Sequence, residues 1–238
     1  VNLAGVASGL GLNGNPSTGS AGGTSYWVEG VATFGTRDAQ GGFSRSEFSS
    51  DGITVGVDKR FSDQFAMGLG LGYARDKTLI GTDGSVNRSK GYSLALYGSY
   101  QPTPTTFVDG MLGVGSLDFN TSRFVAPIND FAYGKRNGTQ LFGSLSTGYE
   151  LRSGNTLLSP YGRIDFSTNR LDTSAETGAG AYALRYQRQT STSVEGALGV
   201  RAESIHDADF GYAVPRLRVE YRHEFKRAGD AYIQYADQ

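Results

Sequence analysis

The histidines His206 and His223 are the only two in the chain, and an imidazole is the side chain best suited to proton transfer or zinc ligation near neutral pH. Neither has a second histidine at ligand spacing. Cysteine is absent, which excludes a thiolate metal site, a cysteine nucleophile and a disulfide framework. His206 falls in a short turn, where a solvated side chain is expected. His223 falls near a strand end on the apolar face; a hydrolase built there would also need an outward serine and an Asn or Asp beside it, and no nearby segment offers that set. The carboxylates Asp165, Glu195 and Glu220 could mimic a paired acid site, but each has arginines on the same face. Gly68, Gly70 and Gly72 are not a dinucleotide fingerprint, because they alternate strictly inside a strand and no helix follows. No Gly-x-Ser-x-Gly elbow or phosphate loop occurs, so no cofactor is expected.

The elements that carry these residues are strands. Glycine stands at 35 of 238 residues and Tyr plus Phe at 27, with 2 Met and 1 Trp, a composition that favours aromatic and glycine-rich strands over helices. No composition break divides the chain, and one domain is expected. The formal charge of −1 is spread over both signs without a basic block, so nucleic acid is not an expected partner. No stretch approaches 18 consecutive apolar residues, which rules out a helical membrane span. A transmembrane barrel needs apolar residues only at alternate positions, so the mean hydropathy of −0.34 is compatible with one.

Phe65 to Tyr73 reads Phe-Ala-Met-Gly-Leu-Gly-Leu-Gly-Tyr. One face of this strand is oily and the other nearly bare. The same pattern returns in 91–100, 108–117 and 141–150. Period-two runs of membrane-crossing length are expected at 26–37, 48–61, 65–76, 89–100, 106–119, 139–152, 157–170, 190–204 and 212–225. The connections alternate between short (62–64, 101–105, 153–156, 205–211) and long and polar (38–47, 77–88, 120–138, 171–189), as the two sides of an outer membrane require. Phe61 and Phe65, Tyr100 and Phe107, and Tyr149 and Tyr161 bracket the short turns, where an interfacial girdle is expected. Nine strands leave the first and last parallel in direction, so they cannot close antiparallel. The expectation is an all-β, antiparallel, up-and-down transmembrane barrel, C-terminally truncated by an odd number of strands. Residues 1–25, rich in Gly, Ser and Asn, read as a linker. The start at Val1, without an initiator Met or signal peptide, reads as part of a longer precursor.

Assigning the oily faces to lipid leaves two inward walls. The small wall comprises Gly56, Gly68, Gly70, Gly72, Ser93, Ala95, Gly113, Gly115, Ser144 and Ser146. The charged wall comprises Arg163, Asp165, Glu195, Arg201, Arg216, Arg218, Glu220 and Arg222. Small inward residues let a bulky object approach the backbone, and enclosed charges demand partners. Either a segment at or upstream of residues 1–25 lies in the lumen as a helix, or the lumen is water-filled and its charges pair with each other.

Trp27-Val28-Glu29-Gly30, Gly52-Ile53-Thr54-Val55-Gly56-Val57-Asp58, Gly68 to Tyr73, Gly91-Tyr92-Ser93-Leu94-Ala95-Leu96-Tyr97, Val108-Asp109-Gly110 and Tyr221-Arg222-His223-Glu224-Phe225 together resemble the C-terminal translocator domain of type V secretion autotransporters. The resemblance covers 26–238 and implies a twelve-stranded monomeric barrel in the outer membrane of a Gram-negative bacterium, threaded by a linker helix. It implies outer-membrane lipid, the chain's own N-terminal passenger and the barrel-assembly machinery as partners. It also implies that three strands and a terminal aromatic are absent here, and that any catalysis belongs to the passenger. Two other readings share the barrel: a porin or small-molecule channel, with 120–138 as an inward constriction loop, and an outer-membrane phospholipase using His223.

Overall fold

A single antiparallel meander dominates the computed structural model, which describes residues 23–39, 44–208, 211–228 and 232–235. Its nine long strands are β1 (Thr24–Arg37), β2 (Ser46–Arg60), β3 (Phe65–Ile80), β4 (Ser85–Thr103), β5 (Thr106–Val125), β6 (Asp130–Tyr149), β7 (Thr156–Leu171), β8 (Gln189–Ser204) and β9 (Arg216–Ala228). Each pairs with its neighbours in sequence, and β1 and β9 are the two edges. The sheet curves into a half-barrel. Among the described residues no helix is long and apolar enough to cross a membrane. Of the expected linker, Thr24 and Ser25 are the first two residues of β1; residues 1–22 lie outside the described residues.

The expected strands are all present and several are longer than the alternation indicated, but the ninth begins at Arg216 and not at 212, because Gly211–Ala213 pairs instead with His206–Ala208 in a small hairpin within the expected short turn. A strand needs roughly 9–11 residues to cross the hydrocarbon, whereas β5 and β6 each run for 20. The segment 120–138, expected as a long loop and considered as a constriction loop, is instead a continuation of the ladder: Asn120 lies opposite Lys135 and Val125 opposite Asp130. Only Ala126–Ile128, a 3-10 turn ending on left-handed Asn129 (φ 49°), breaks it. A hairpin that satisfies its own backbone can project beyond the membrane, and polar composition alone does not tell it from a loop. Likewise 77–88 is mostly hairpin, with Lys77 opposite Arg88 and a tight turn that uses Gly81 and Gly84 at positive φ.

Side-chain direction follows the register, which shifts between Tyr100 and Thr103 and between Val194 and Glu195. Leu69 and Leu71 on β3, Leu94 and Leu96 on β4, Leu112 and Val114 on β5, and Leu198 and Val200 on β8 are all exposed and share one face. An apolar surface of this extent on a solvated protein would drive association; in a bilayer it is the outer wall. Phe61, Phe65, Tyr100 and Tyr149 belong to that exposed surface near the short turns, as a girdle requires. Phe107 and Tyr161 do not: they are buried on the opposite face, at 4% and 9% exposure. The bracketing pattern is therefore only partly a girdle, because aromatics of the other parity point inward.

Arginine at Leu112, mid-strand on the outer wall, is expected to cost about 2–4 kcal/mol of stability in phospholipid vesicles, and arginine at Val108, about 13 Å along the same strand toward the short turn, about 0–1 kcal/mol. Equilibrium unfolding by urea in vesicles measures both; equal costs would contradict this orientation.

Candidate functional site

The inner face is organised in rows that cross the strands. One row runs Trp27, Gly56, Gly70, Ala95, Gly113, Phe142, Ser167 and Ser193. A second runs Glu29, Thr54, Gly72, Ser93, Gly115, Gln140 and Asn169. A third runs Asp58, Gly68, Tyr97, Met111, Ser144, Asp165, Glu195 and Glu224. The fourth includes Asp109, Ser146, Arg163, Ala197 and Arg222. All ten residues of the expected small wall lie on this face together, in the order the alternation placed them.

The glycines of that wall are not simply bare. A Cβ on Gly56 would collide with the Trp27 indole, one on Gly68 with the Tyr97 ring and the Asp58 carboxylate, and one on Gly113 with the Phe142 ring. Each ring lies across the strand beside it. Trp27 Nε1 donates to Tyr97 Oη at 2.6 Å, and Tyr97 in turn donates to Asp58. Ala95, Met111 and Phe142 form a buried cluster against which Trp27 and Tyr97 pack. Sequence reasoning missed these rings. The available signal was parity: Trp27 shares the face of Glu29 and is opposite in direction to Val28, and Tyr97 shares the face of Ala95 and is opposite in direction to Leu94 and Leu96.

On β7 to β9 the inner face is charged and satisfies itself. The Glu220 side chain, 7% exposed, accepts from Arg163 Nη1 at 2.9 Å and from Arg222 Nη2 at 2.6 Å, and Arg218 Nη2 lies 2.7 Å away. Tyr161 also donates to it. Arg163 bridges to Asp165 at 2.8 Å, Arg216 to Glu203 at 2.7 Å, and Arg222 reaches Glu195 at 3.8 Å. Arg201 lies over the rings of Phe107 and Tyr161, at 5.9 and 6.0 Å. Asp165 and Glu195 are directly opposite each other, yet arginines engage both. Among the described residues, Ser144 Oγ, Ser159 Oγ and Asn169 Oδ1 on the inner face are buried without a hydrogen-bond partner. His223 is on the outer face against Phe225, and exposed His206 pairs with Ala213 in a short strand. Among the described residues no group of acidic residues and histidines is placed to hold a metal.

Beyond the long end of the sheet, the segment after β7 folds back on the β5–β6 hairpin. Its Glu176 side chain is fully buried and receives Arg123 through Nε at 3.1 Å and Nη2 at 2.6 Å, the Leu184 N–H at 3.0 Å and the Tyr186 hydroxyl at 3.3 Å. The hydrogen bond to Glu176 raises the Arg123 pKa above its usual value; burial, then the Glu176 charge, raises that of the Tyr186 phenol. Arg136 donates to the carbonyls of Asp172 at 2.7 Å and Gln187 at 2.6 Å. Val125, Ala132, Ala179 and Ala183 make a small core between loop and hairpin. Leu184–Tyr186 also pairs with Ile233–Tyr235. Arg123 and Arg136 have inner-face parity, so the segment leans over that side.

A long-stranded meander with an oily exterior and a small or polar interior defines an outer-membrane β-barrel protein. A sequence profile of the autotransporter beta-domain matches residues 26–238, and the chain belongs to that family. Its fold is similar to the translocator domain of the autotransporter NalP from Neisseria meningitidis, with a TM-score of 0.63 at 14% identity, covering 97% of this chain and 89% of that one. It is likewise similar to the beta domain of the Bordetella autotransporter BrkA, with a TM-score of 0.66 at 17% identity, covering 87% and 82%. Among curated proteins it is 24% identical to an extracellular serine protease of Serratia marcescens over 84% of this chain and 19% of that protein. It is also 24% identical to the esterase EstA of Pseudomonas aeruginosa, over 79% and 29%. The chain thus spans about a fifth to three tenths of these relatives. Autotransporter beta-domains are outer-membrane translocators for passenger secretion, and this chain is one of them.

Gly56→Val is expected to push the Trp27 indole off the wall at a cost of about 1–3 kcal/mol. Because Trp27 is the only tryptophan, its emission would shift to the red; an unchanged spectrum would contradict the packing. Glu176→Gln, which leaves Arg123 without its carboxylate, should weaken the loop by about 3 kcal/mol. Trypsin added to intact cells should then cut at Arg185 or Arg188 at least about tenfold faster, and an unchanged rate would show that the latch does not hold the loop.

Proposed function

We propose that residues 26–238 are the membrane-embedded part of a longer secreted protein, that residues 1–25 link it to an N-terminal passenger, and that the segment before β1 occupies the inner space as a helix during or after export. The observation that carries this reading is the row Gly56, Gly70, Ala95 and Gly113, in which four neighbouring strands contribute no side chain larger than a methyl group and the Trp27 and Phe142 rings lie across the glycines beside them. A packed segment can lie against this low, ring-covered surface as it cannot against the long charged side chains of β7 to β9. An odd number of further strands, three in a twelve-stranded barrel, would join the β1 and β9 edges. The outer face would be in contact with lipid, the chain would be inserted by the barrel-assembly machinery, and the finished barrel would be monomeric.

On this reading the chain needs no cofactor and does no catalysis of its own. The relatives named as protease and esterase extend far beyond the matched length, and an enzymatic activity of the whole protein would reside in its passenger. Gly70→Leu places a bulky side chain in the centre of the small row. In the full-length protein it should abolish passenger display, read by antibody on intact cells, while the barrel retains heat-modifiable mobility on electrophoresis. Normal display by that variant would overturn the assignment of the small wall.

A further inference from the structure

On the outer face, the oily wall of β3 and β4 ends in a pair of rings and is followed by cations. Tyr73 and Tyr92 are directly opposite, with ring centroids 5.1 Å apart. Tyr73 stands eight residues beyond Phe65, about 27 Å along the strand and about 21 Å in height at a tilt of roughly 40°. The pair therefore marks the long-hairpin edge of the apolar band, on the cell-surface side. The next two outward positions are Arg75 and Lys77 on β3 and Lys90 and Arg88 on β4, all exposed. Arg75 is opposite Lys90, and Lys77 is opposite Arg88. Like charges directly opposite in an antiparallel pair repel, and here two such pairs follow in succession.

Nearby carboxylates relieve only the first pair. Asp51, Arg75, Lys90 and Asp118 lie side by side in one row, where Asp51 receives Arg75 Nε at 2.8 Å, and that row balances its own charge. The next row runs Ser49, Lys77, Arg88, Asn120 and Lys135. It holds three cations and no carboxylate. Glu47, further out on β2, is taken by Arg45 at 3.2 Å. Among the described residues Lys77, Arg88 and Lys135 form no ion pair. Lys77 and Arg88 stand on adjacent strands, about 5 Å apart, and Lys135 is two strands beyond Arg88, about 10 Å away. The Lys135 backbone is fixed by the ladder and by Ser174 Oγ, which donates to its carbonyl at 2.5 Å.

We propose that this row binds the headgroup of an outer-leaflet glycolipid bearing two phosphate groups, one held between Lys77 and Arg88 and the other at Lys135. Ammonium and guanidinium groups hold phosphate through charge-assisted hydrogen bonds, and a phosphate between Lys77 and Arg88 turns their repulsion into a shared attraction. The row stands about 10 Å above the tyrosine rings, where long stems reach back into a headgroup layer of about 5–8 Å. Directly below it the exposed Leu69, Leu71, Leu94 and Leu96 offer the surface that acyl chains require, which a free phosphate would not use. The spacing and the three uncompensated charges call for two phosphates, whereas an ordinary phospholipid brings one. The site is independent of whatever occupies the inner space.

The test titrates the purified full-length protein in zwitterionic detergent and reads bound lipid by native mass spectrometry. The probes are lipid A with two phosphate monoesters, the same lipid with both removed, and phosphatidylglycerol. Lipid A should bind about tenfold tighter than either of the others and survive excess inorganic phosphate. Lys77→Gln combined with Arg88→Gln should lower its affinity about tenfold. Lys59→Gln, which removes an exposed charge at the short-turn end, should leave it unchanged. The urea midpoint of the double variant in detergent alone should be no lower than the parent's, because a repulsive pair is gone, while lipid A should raise the parent's midpoint and not the variant's. Equal binding of phosphatidylglycerol or of the dephosphorylated lipid, or an equal loss with Lys59→Gln, would reduce the row to general lipid attraction and overturn the proposal. Displacement by inorganic phosphate would assign the row to free phosphate and overturn it as well. Undiminished binding by the double variant, or a lower midpoint in detergent alone, would show that Lys77 and Arg88 are not the site.

Discussion

Hydrocarbon offers a peptide group no hydrogen-bond partner, and every other feature of this sheet follows from that constraint. Each N–H and C=O inside the membrane must be met by the next strand, which demands long, unbroken antiparallel ladders and leaves little room for irregularity. β2 and β3 pair at fifteen consecutive positions, and β3 and β4 at sixteen. With the backbone committed in this way, side chains have only two directions to take, and the identity of the residue at each parity sets what each face can do. Nine strands put β1 and β9 in the same direction, so these two edges cannot meet as an antiparallel pair.

The inner face resolves two conflicting demands. Glycine is poor strand material because it brings backbone entropy and no packing, yet it recurs at neighbouring positions on β2, β3 and β5. The structure offsets this by laying a large ring from an adjacent strand over the gap, as Trp27 does at Gly56 and Phe142 at Gly113. The ladder gains a cross-strand aromatic contact and the inner surface stays low. On β7 to β9 the same surface is built from arginine and carboxylate, whose length would be prohibitive if they stood upright into the lumen. Pairing laterally, as Arg163, Arg218 and Arg222 do around Glu220, keeps them against the wall.

The strands and the two faces were legible in the sequence because period two is a strict geometric rule, and one residue out of phase would turn every leucine of Leu94 to Leu96 inward. Strand ends were less legible. At 120–138 the residues are polar because both faces of that hairpin leave the bilayer, and polarity then carries no information about pairing. Phe107 and Tyr161 resisted interpretation for a different reason: position beside a turn suggested the interface, whereas parity, the stronger constraint, sent them inward. Glu176 could not have been found from its neighbours in sequence. Its partners Arg123 and Leu184 are 53 and 8 residues away, and only the fold brings them together.

Glu220 and Glu176 obey one rule in two settings. Each is a carboxylate removed from water and held by guanidinium and phenol groups from other segments: Arg163, Arg218, Arg222 and Tyr161 in the first case, Arg123 and Tyr186 in the second. Such clusters add little net stability compared with apolar packing, but they are intolerant of displacement, because moving any member strands a charge. Their value here is positional. An apolar contact on the inner face would be indifferent to which apolar segment covered it, whereas the Glu220 cluster admits no substitute and so fixes the lateral order of β7 to β9. The Glu176 cluster applies the same intolerance to a segment whose own ladder is short, with Arg185 opposite Ala175 and Tyr186 opposite Ser174, and together with the Tyr133–Thr177 bridge to β6 it holds that segment in one position over the long end of the barrel.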